Sequence, residues 1–252
     1  MVGAALTLKR GTLVANSELG VFALGYQDDR PISDGGLADE VEVATFGAHW
    51  LGVYPLGPGN LDVLLWGAGQ LGDYDGLDHA AAAGIVELGY QLAKLPGKPW
   101  LRAGLNIASG DGDPGDGDHE TFFNLLPTNH LYYGFADQLA FQNLTNWFVQ
   151  LRAAPHPMLA LNLFVHWFEL TDPDDARYAG TGAFSKSAFG FPAQPSNGLS
   201  HVGVEYDVVA TITPHETTTI ELGYAYLDGG AAFRSSAQRD LHFFYASLEL
   251  RY

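Results

Sequence analysis

The sequence predicts an all-β chain, an antiparallel up-and-down transmembrane β-barrel with about 10–12 strands, short periplasmic turns and long acidic extracellular loops. Three observations predict it. Strand-length segments alternate with period two along most of the chain. The connections between them alternate between short turns and long Gly/Pro/Asp-rich stretches. Ionisable residues keep to one side of the alternation, and filling a small dry core with them would be costly, whereas a water-filled lumen removes that cost.

A partial alternating stretch at 2–9 is followed by strands at 17–27 and 41–53; in the second, Glu42 and His49 have opposite parity, which leaves its facing open. Strands at 60–72 and 80–92 place Asp62 and Glu87 inward by parity. In 100–108, Arg102 and Asn106 stand opposite Leu101, Ala103, Leu105 and Ile107. In 143–153, Asn146, Gln150 and Arg152 stand opposite Trp147, Val149 and Leu151. In 158–170, Asn162 and His166 stand opposite Leu161, Leu163, Val165 and Trp167. In 200–212, Glu205 and Asp207 stand opposite Val204, Tyr206 and Val208. Strands at 217–227 and 241–252 complete the series and bring Glu221, Glu249 and Arg251 to the ionisable side.

Short turns are expected at 55–60, 93–99, 154–157 and 213–217, and long loops at 28–40, 73–79, 109–142, 171–199 and 228–240. The long loops hold most of the acid, including Asp28, Asp29, Asp34 and Asp39 in the first. Tyr90, Trp100, Tyr132, Tyr133, Trp147, Trp167 and Tyr226 fall near strand ends, where interfacial girdles form. The last strand ends on Tyr252, which resembles the terminal signal that bacterial outer-membrane proteins present to the barrel-assembly machinery.

A chain of 252 residues accommodates a single barrel domain, 1–252, or the C-terminal part of a larger barrel. With no cysteine, neither a disulfide nor a thiolate metal site is available. A formal charge of −17 excludes the basic footprint that nucleic-acid binding needs. No run approaches the length of a transmembrane helix. In "MVGAALTLKR" the basic residues follow the apolar run, so it is not a secretory signal, and an exported chain would be a mature or trimmed form.

The stretch "SGDGDPGDGDHETF" (109–122) invites two cofactor readings. Gly110, Gly112 and Gly115 spell G-x-G-x-x-G, but Asp111, Asp113 and Asp116 would repel a pyrophosphate and no amphipathic helix follows. It is not an EF-hand, because counting from Asp111 places Gly115, Asp116 and Phe122 where an oxygen ligand, Gly and Glu are needed. Asp111, Asp113, Asp116 and Asp118 remain candidate calcium ligands, against the alternative of solvated loop acid. The loop either stands outside the pore or folds into it. No Ser-His-Asp signature or placeable carboxylate pair argues for an enzyme.

From residue 98 to 252 the chain resembles the alginate export family of outer-membrane porins. The resemblance is carried in order by Ser109-Gly110-Asp111, His119-Glu120-Thr121-Phe122, "LPTNHLYYGFADQLAFQNL" (126–144), "FVHWFELTDPDDARY" (164–178), "HVGVEYDVVATITP" (201–214), "IELGYAYLDGG" (220–230) and the final strand. It implies a passive channel in the Gram-negative outer membrane, in contact with lipid, with its C-terminus in the periplasm. Family members that secrete polyuronate use an arginine-rich constriction. Here Arg102, Arg152 and Arg251 face Asp62, Glu87, Glu205, Asp207, Glu221 and Glu249, a mixed lining that weakens anion selection. The candidate pore-lining set is Arg102, Asn106, Asn146, Gln150, Arg152, Asn162, His166, Glu205, Asp207, Glu221, Glu249 and Arg251. The expected cargo is a saccharide, an anionic polysaccharide such as alginate, or a small hydrophilic solute. The alternatives are a barrel with adhesin or enzyme function in loops 109–142 and 171–199, and a soluble β-rich carbohydrate-binding domain.

Overall fold

The computed structural model describes residues 1–28, 40–125, 129–180, 193–235 and 239–251. Its elements are β1 (Val2–Leu8), β2 (Ser17–Asp28), β3 (Val41–Leu56), β4 (Gly59–Tyr74), β5 (Leu77–Gln91), β6 (Trp100–Ala108), β7 (Asp118–His119) and α1 (Asn129–Tyr132). They continue with β8 (Leu144–His156), β9 (Leu159–Glu169), β10 (Arg177–Tyr178), β11 (Ala193–Gln194), β12 (His201–His215), β13 (Thr218–Gly229), α2 (Ala231–Ser235) and β14 (Leu241–Leu250). Each strand that the alternation predicts is present. The long ones form one antiparallel sheet in the order β1-β2-β3-β4-β5-β6-β8-β9-β12-β13-β14, while β7 pairs parallel with β5 and β10 pairs with β11.

Three expectations are corrected or narrowed. The long loop expected at 73–79 is a tight turn, because β4 runs to Tyr74 and β5 starts at Leu77. Asp75 (φ 61°) and Gly76 (φ 77°) supply the two positive φ angles that a two-residue hairpin of this hand requires. The edge strands β1 and β14 are not paired with each other among the described residues, so the sheet is an open path rather than the closed barrel expected. Asp29, Asp34, Asp39, Tyr252, the 126–128 portion of the 109–142 loop and the 181–192 portion of the 171–199 loop lie outside the described residues.

The sidedness of the sheet is inverted relative to a water-soluble protein. Glu205 and Asp207 are each 1% exposed, whereas Trp147 is 54% and Leu101 57% exposed. Gln70, Glu87, Asn106, Asn146, Gln150 and His166 are likewise buried on the concave side, and Phe46, Val86, Leu163, Val208 and Leu222 stand out on the other. The register settles the open facing of β3: His49 pairs with Trp66 and lines the concave side with Thr45, while Phe46 points out.

What fills the concavity is the segment that follows β6. Phe122, Tyr133, Leu139 and Phe141 form one core with Ala68 of β4, Ala83 of β5, Phe168 of β9 and Leu227 of β13. Phe22 of β2 and Leu241 of β14 both pack against that core. Of the loop expected to stand outside or fold inward, the described part after His119 folds inward, while residues 112–118 stay exposed. Its run of aromatic residues explains why: five buried rings left in water would forgo about 1.5–3 kcal/mol each.

Candidate functional site: a plugged polar wall

The segment begins and ends at one clip. Ser109 accepts backbone N–H bonds from Phe122 (3.0 Å) and Asn143 (3.1 Å) through its carbonyl, and its hydroxyl donates to the Glu120 carbonyl at 2.7 Å. Asn143, in the left-handed region at φ 47°, donates from Nδ2 to the carbonyls of Asp172 (2.8 Å) and Ala176 (2.9 Å), and its Oδ1 accepts Asp172 N–H at 2.7 Å. One buried amide thus ties the end of the plug to the 170–180 loop.

Between these ends the main chain lies on the sheet's polar side. The Tyr132 carbonyl accepts from Asn106 Nδ2 (3.4 Å) and Asn146 Nδ2 (3.2 Å), so neighbouring strands β6 and β8 grip one oxygen. Ala136 N–H donates to Glu205 Oε1 at 2.9 Å. Gly134 has φ +86° and passes so close to Glu205 that a Cβ would collide with its carboxyl oxygens. Rings lock the rest: Phe135 lies parallel to Tyr245 at 6.0 Å, and Tyr133 lies parallel to Phe141 at 4.7 Å. His130 Nδ1 is 2.7 Å from Asp137 Oδ2, with its ring edge-on to Tyr245 at 4.9 Å.

Below the plug, toward the short turns, a polar strip crosses four strands. Arg102 Nη1 donates to Glu87 Oε2 at 2.6 Å and its Nε to Gln150 Oε1 at 3.0 Å; Gln150 Nε2 donates to Asn162 Oδ1 at 3.2 Å. Under the plug, His166 Nδ1 is 3.1 Å from Asn146 Oδ1, and His166 Nε2 is 3.6 Å from Asp207 Oδ2. Asn106 Oδ1 and His166 Nε2 are buried without a protein hydrogen-bond partner among the described residues, and Asp207 lies against Glu205 and the Phe135 backbone.

At the short-turn end a hollow of about 550 Å³ is lined by Asp62, Lys98, Trp100, Arg102 and Arg152, among others. Trp100 Nε1 donates to Asp62 Oδ2 at 2.7 Å, and the Arg102 guanidinium lies 4.6 Å from the Trp100 ring centre. On the far side, Glu221 accepts from Tyr245 (2.8 Å) and from Thr211 (3.4 Å).

Of the residues read from sequence, Arg102, Gln150 and Asn162 form one chain of bonds, and Asn106, Asn146, His166, Glu205 and Asp207 form the seat. Arg152 is exposed in the hollow, Glu221 is on the opposite wall, and Glu249 and Arg251 bond each other (2.8 Å) at the exposed end of β14. The residues read as calcium ligands lie in a run of tight turns. Asp111, Asp113 and Asp116 accept backbone N–H groups of Asp113, Gly115 and Asp118 within their own turns. Among the described residues no group of three or more acidic or histidine side chains could hold a metal ion.

Several contributors were missed from sequence. Gln70 pins Phe123 from both sides, Nε2 donating to its carbonyl (2.8 Å) and Oε1 accepting its N–H (2.7 Å). His119 stacks on Tyr74 at 4.0 Å with its Nδ1 2.8 Å from that of His79. Asp175 accepts from Thr121 (2.5 Å), Asp111 N–H (3.1 Å) and Tyr178 (3.0 Å); burial raises its pKa, and these bonds oppose the rise. Single glutamines and histidines carry no spacing signal, and Asp175 was legible only as loop acid.

None of the curated proteins compared with the chain matches it. The model of the alginate export family matches residues 8–247, which extends the resemblance read over 98–252 through β2–β5. That family comprises outer-membrane transport proteins rather than enzymes, in accord with an all-β chain whose apolar face is turned outward. With nearly its whole length matched, the chain belongs to the alginate export family.

Proposed function

We propose that the chain forms the wall of a plugged β-barrel channel in the outer membrane, through which saccharides or other small hydrophilic solutes pass down their gradient. The observation that carries this reading is the inverted sidedness: buried Glu205, Asp207, Gln150 and Asn146 on the concave side against exposed Trp147, Val149, Leu163 and Val208 on the convex side. Lipid solvates the second set and water the first. The route runs from the long-loop end, past the segment 129–143, along the Glu87–Arg102–Gln150–Asn162 strip, to the hollow at the short turns.

Arg102 is matched by Glu87, so the strip is a hydrogen-bonding surface more than an anion trap; Lys98 and Arg152 at its end face Asp62. This balance favours small neutral or weakly charged saccharides over a long polyanion. The C-terminal strand β14 would engage the barrel-assembly machinery, and the single domain 1–252 would close as a barrel in the membrane. The decisive experiment is planar-bilayer conductance of the folded, detergent-solubilised chain. Discrete current steps that sugars block are expected; a chain that shows heat-modifiable gel mobility yet carries no current would defeat the channel reading.

A further inference from the structure

The plug does not fill the concavity. It touches β4 and β5 at Ala68, Gln70 and Ala83, and beside those contacts a cavity of about 500 Å³ remains between it and β2–β5, within the size range of small-molecule sites. Phe22, Trp66 and Ile85 wall it from the strands; Phe122, Tyr133 and Phe141 wall it from the inserted segment. Phe22 lies nearly parallel to Trp66 at 6.3 Å, and Phe122 and Phe141 stand 6.5 and 6.3 Å from the same indole. This volume is well above the voids that packed interiors leave.

Two further facts define what fits. Among the described residues, no aspartate, glutamate, lysine or arginine lines the cavity. Of its two amides, Gln70 donates to Thr45 Oγ1 (3.2 Å) and the Phe123 carbonyl and accepts Phe123 N–H, and Asn124 is engaged as well, so the hydroxyls of Tyr132 and Tyr133 are the main polar groups left on an otherwise aromatic lining. His49, at its edge, has Nε2 3.2 Å from Glu18 Oε1. A charged solute entering would be desolvated without a counter-charge, and a sugar would surrender several water hydrogen bonds for few replacements. A flat apolar ring loses nothing and gains stacking area.

We propose that this cavity is a binding site for an uncharged aromatic or alicyclic ring compound. The inference takes from the channel reading only that the concave side is open to solutes, and binding here does not require conduction. The polar strip and the aromatic cavity then divide one lumen into two environments, with the inserted segment as the partition.

The test uses 2-naphthol as probe, 2-naphthoate as the same ring with a charge, and glucose as the uncharged polyol, each titrated into the folded protein in one detergent. Saturable naphthol fluorescence enhancement is expected, with naphthoate and glucose competing at least tenfold more weakly. Trp66→Ala should weaken naphthol binding about tenfold. Trp167→Ala, on the outward face, should leave it unchanged and corrects for partition into detergent. Leu64→Phe, which fills the cavity without removing a ring, should also weaken binding, and heat-modifiable mobility confirms that each variant is folded. Equal affinity for naphthol and naphthoate, or insensitivity to both cavity variants, overturns the proposal. Conductance recorded on the same samples separates the two readings: binding without current supports this site while defeating the channel, and current without binding defeats this site alone.

Discussion

Ala136 donates its backbone N–H to Glu205 Oε1 at 2.9 Å, so a buried carboxyl group of the wall holds the inserted segment by its main chain rather than by a side chain. No substitution at position 136 other than proline removes that donor. The contact is therefore broken from the wall side.

Glu205→Ala removes the acceptor and should cost the plug's seating about 1–3 kcal/mol, the cost of leaving the buried Ala136 N–H without a partner. Mean single-channel conductance should rise, with more frequent long openings. Gly134→Val should act in the same direction, because its Cβ would collide with Glu205 and the backbone there has φ +86°. Unchanged bilayer traces in both variants would mean that the segment does not gate the path.

Val149 and Gln150 are neighbours on β8 that face opposite sides of the sheet, the first exposed and the second buried. Val149→Lys should impair insertion, with a cost of about 2–4 kcal/mol if the site lies near the bilayer midplane. Gln150→Lys should insert normally and shift ion selectivity toward anions. Yield in the outer-membrane fraction and reversal potential in a salt gradient read the two effects. Equal tolerance at both positions would argue against lipid on the convex face.

Burial and the neighbouring His79 push the His119 imidazole down to about 3. Because its folded value lies below the ordinary 6.5, the stability it contributes is full above pH 6.5 and is lost as pH falls toward 3. The loss has a slope of at most about 1.4 kcal/mol per pH unit. Asp175 works with the opposite sign: burial raises its carboxyl, so its contribution is full below the usual carboxylate value and declines as pH rises through the raised one. His119→Phe keeps the stack on Tyr74 and removes the proton. Thermal unfolding in detergent at pH 7 and pH 5 should show a smaller acid-induced drop in the variant than in the parent, and an undiminished drop would discard the assignment.

Gly76 sits at φ +77° in the two-residue turn between β4 and β5. Gly76→Val should lower stability by about 1–3 kcal/mol through backbone strain alone. Asp75→Asn, which keeps a side chain tolerant of positive φ, should be near neutral. Denaturant midpoints of the two variants provide the comparison.

The strands were legible because alternation is local: a residue's side of the sheet is fixed by parity, and Arg102, Asn146, Gln150, His166, Glu205 and Asp207 all lie on the side that parity assigns. The fate of residues 109–142 was not, because a loop has no period. A signal was present nonetheless in Phe122, Phe123, Tyr133, Phe135 and Phe141, five rings that water would not hold. At 73–79 the count of acidic residues suggested a long loop, while the Asp-Gly pair already specified a tight turn. The partnerships of Gln70 with Phe123 and of Asp175 with Thr121 link residues 53 and 54 positions apart, a distance at which one sequence carries no pairing information.

Phe22 near one edge of the sheet and Leu241 near the other rest on the same inserted core. The curvature of the sheet is therefore set from within: the segment after β6 acts as a former around which the two wings are bent, joined a second time through aromatic side chains where no ladder connects them. A chain lacking that segment would keep its hairpins and lose the reason for them to curl.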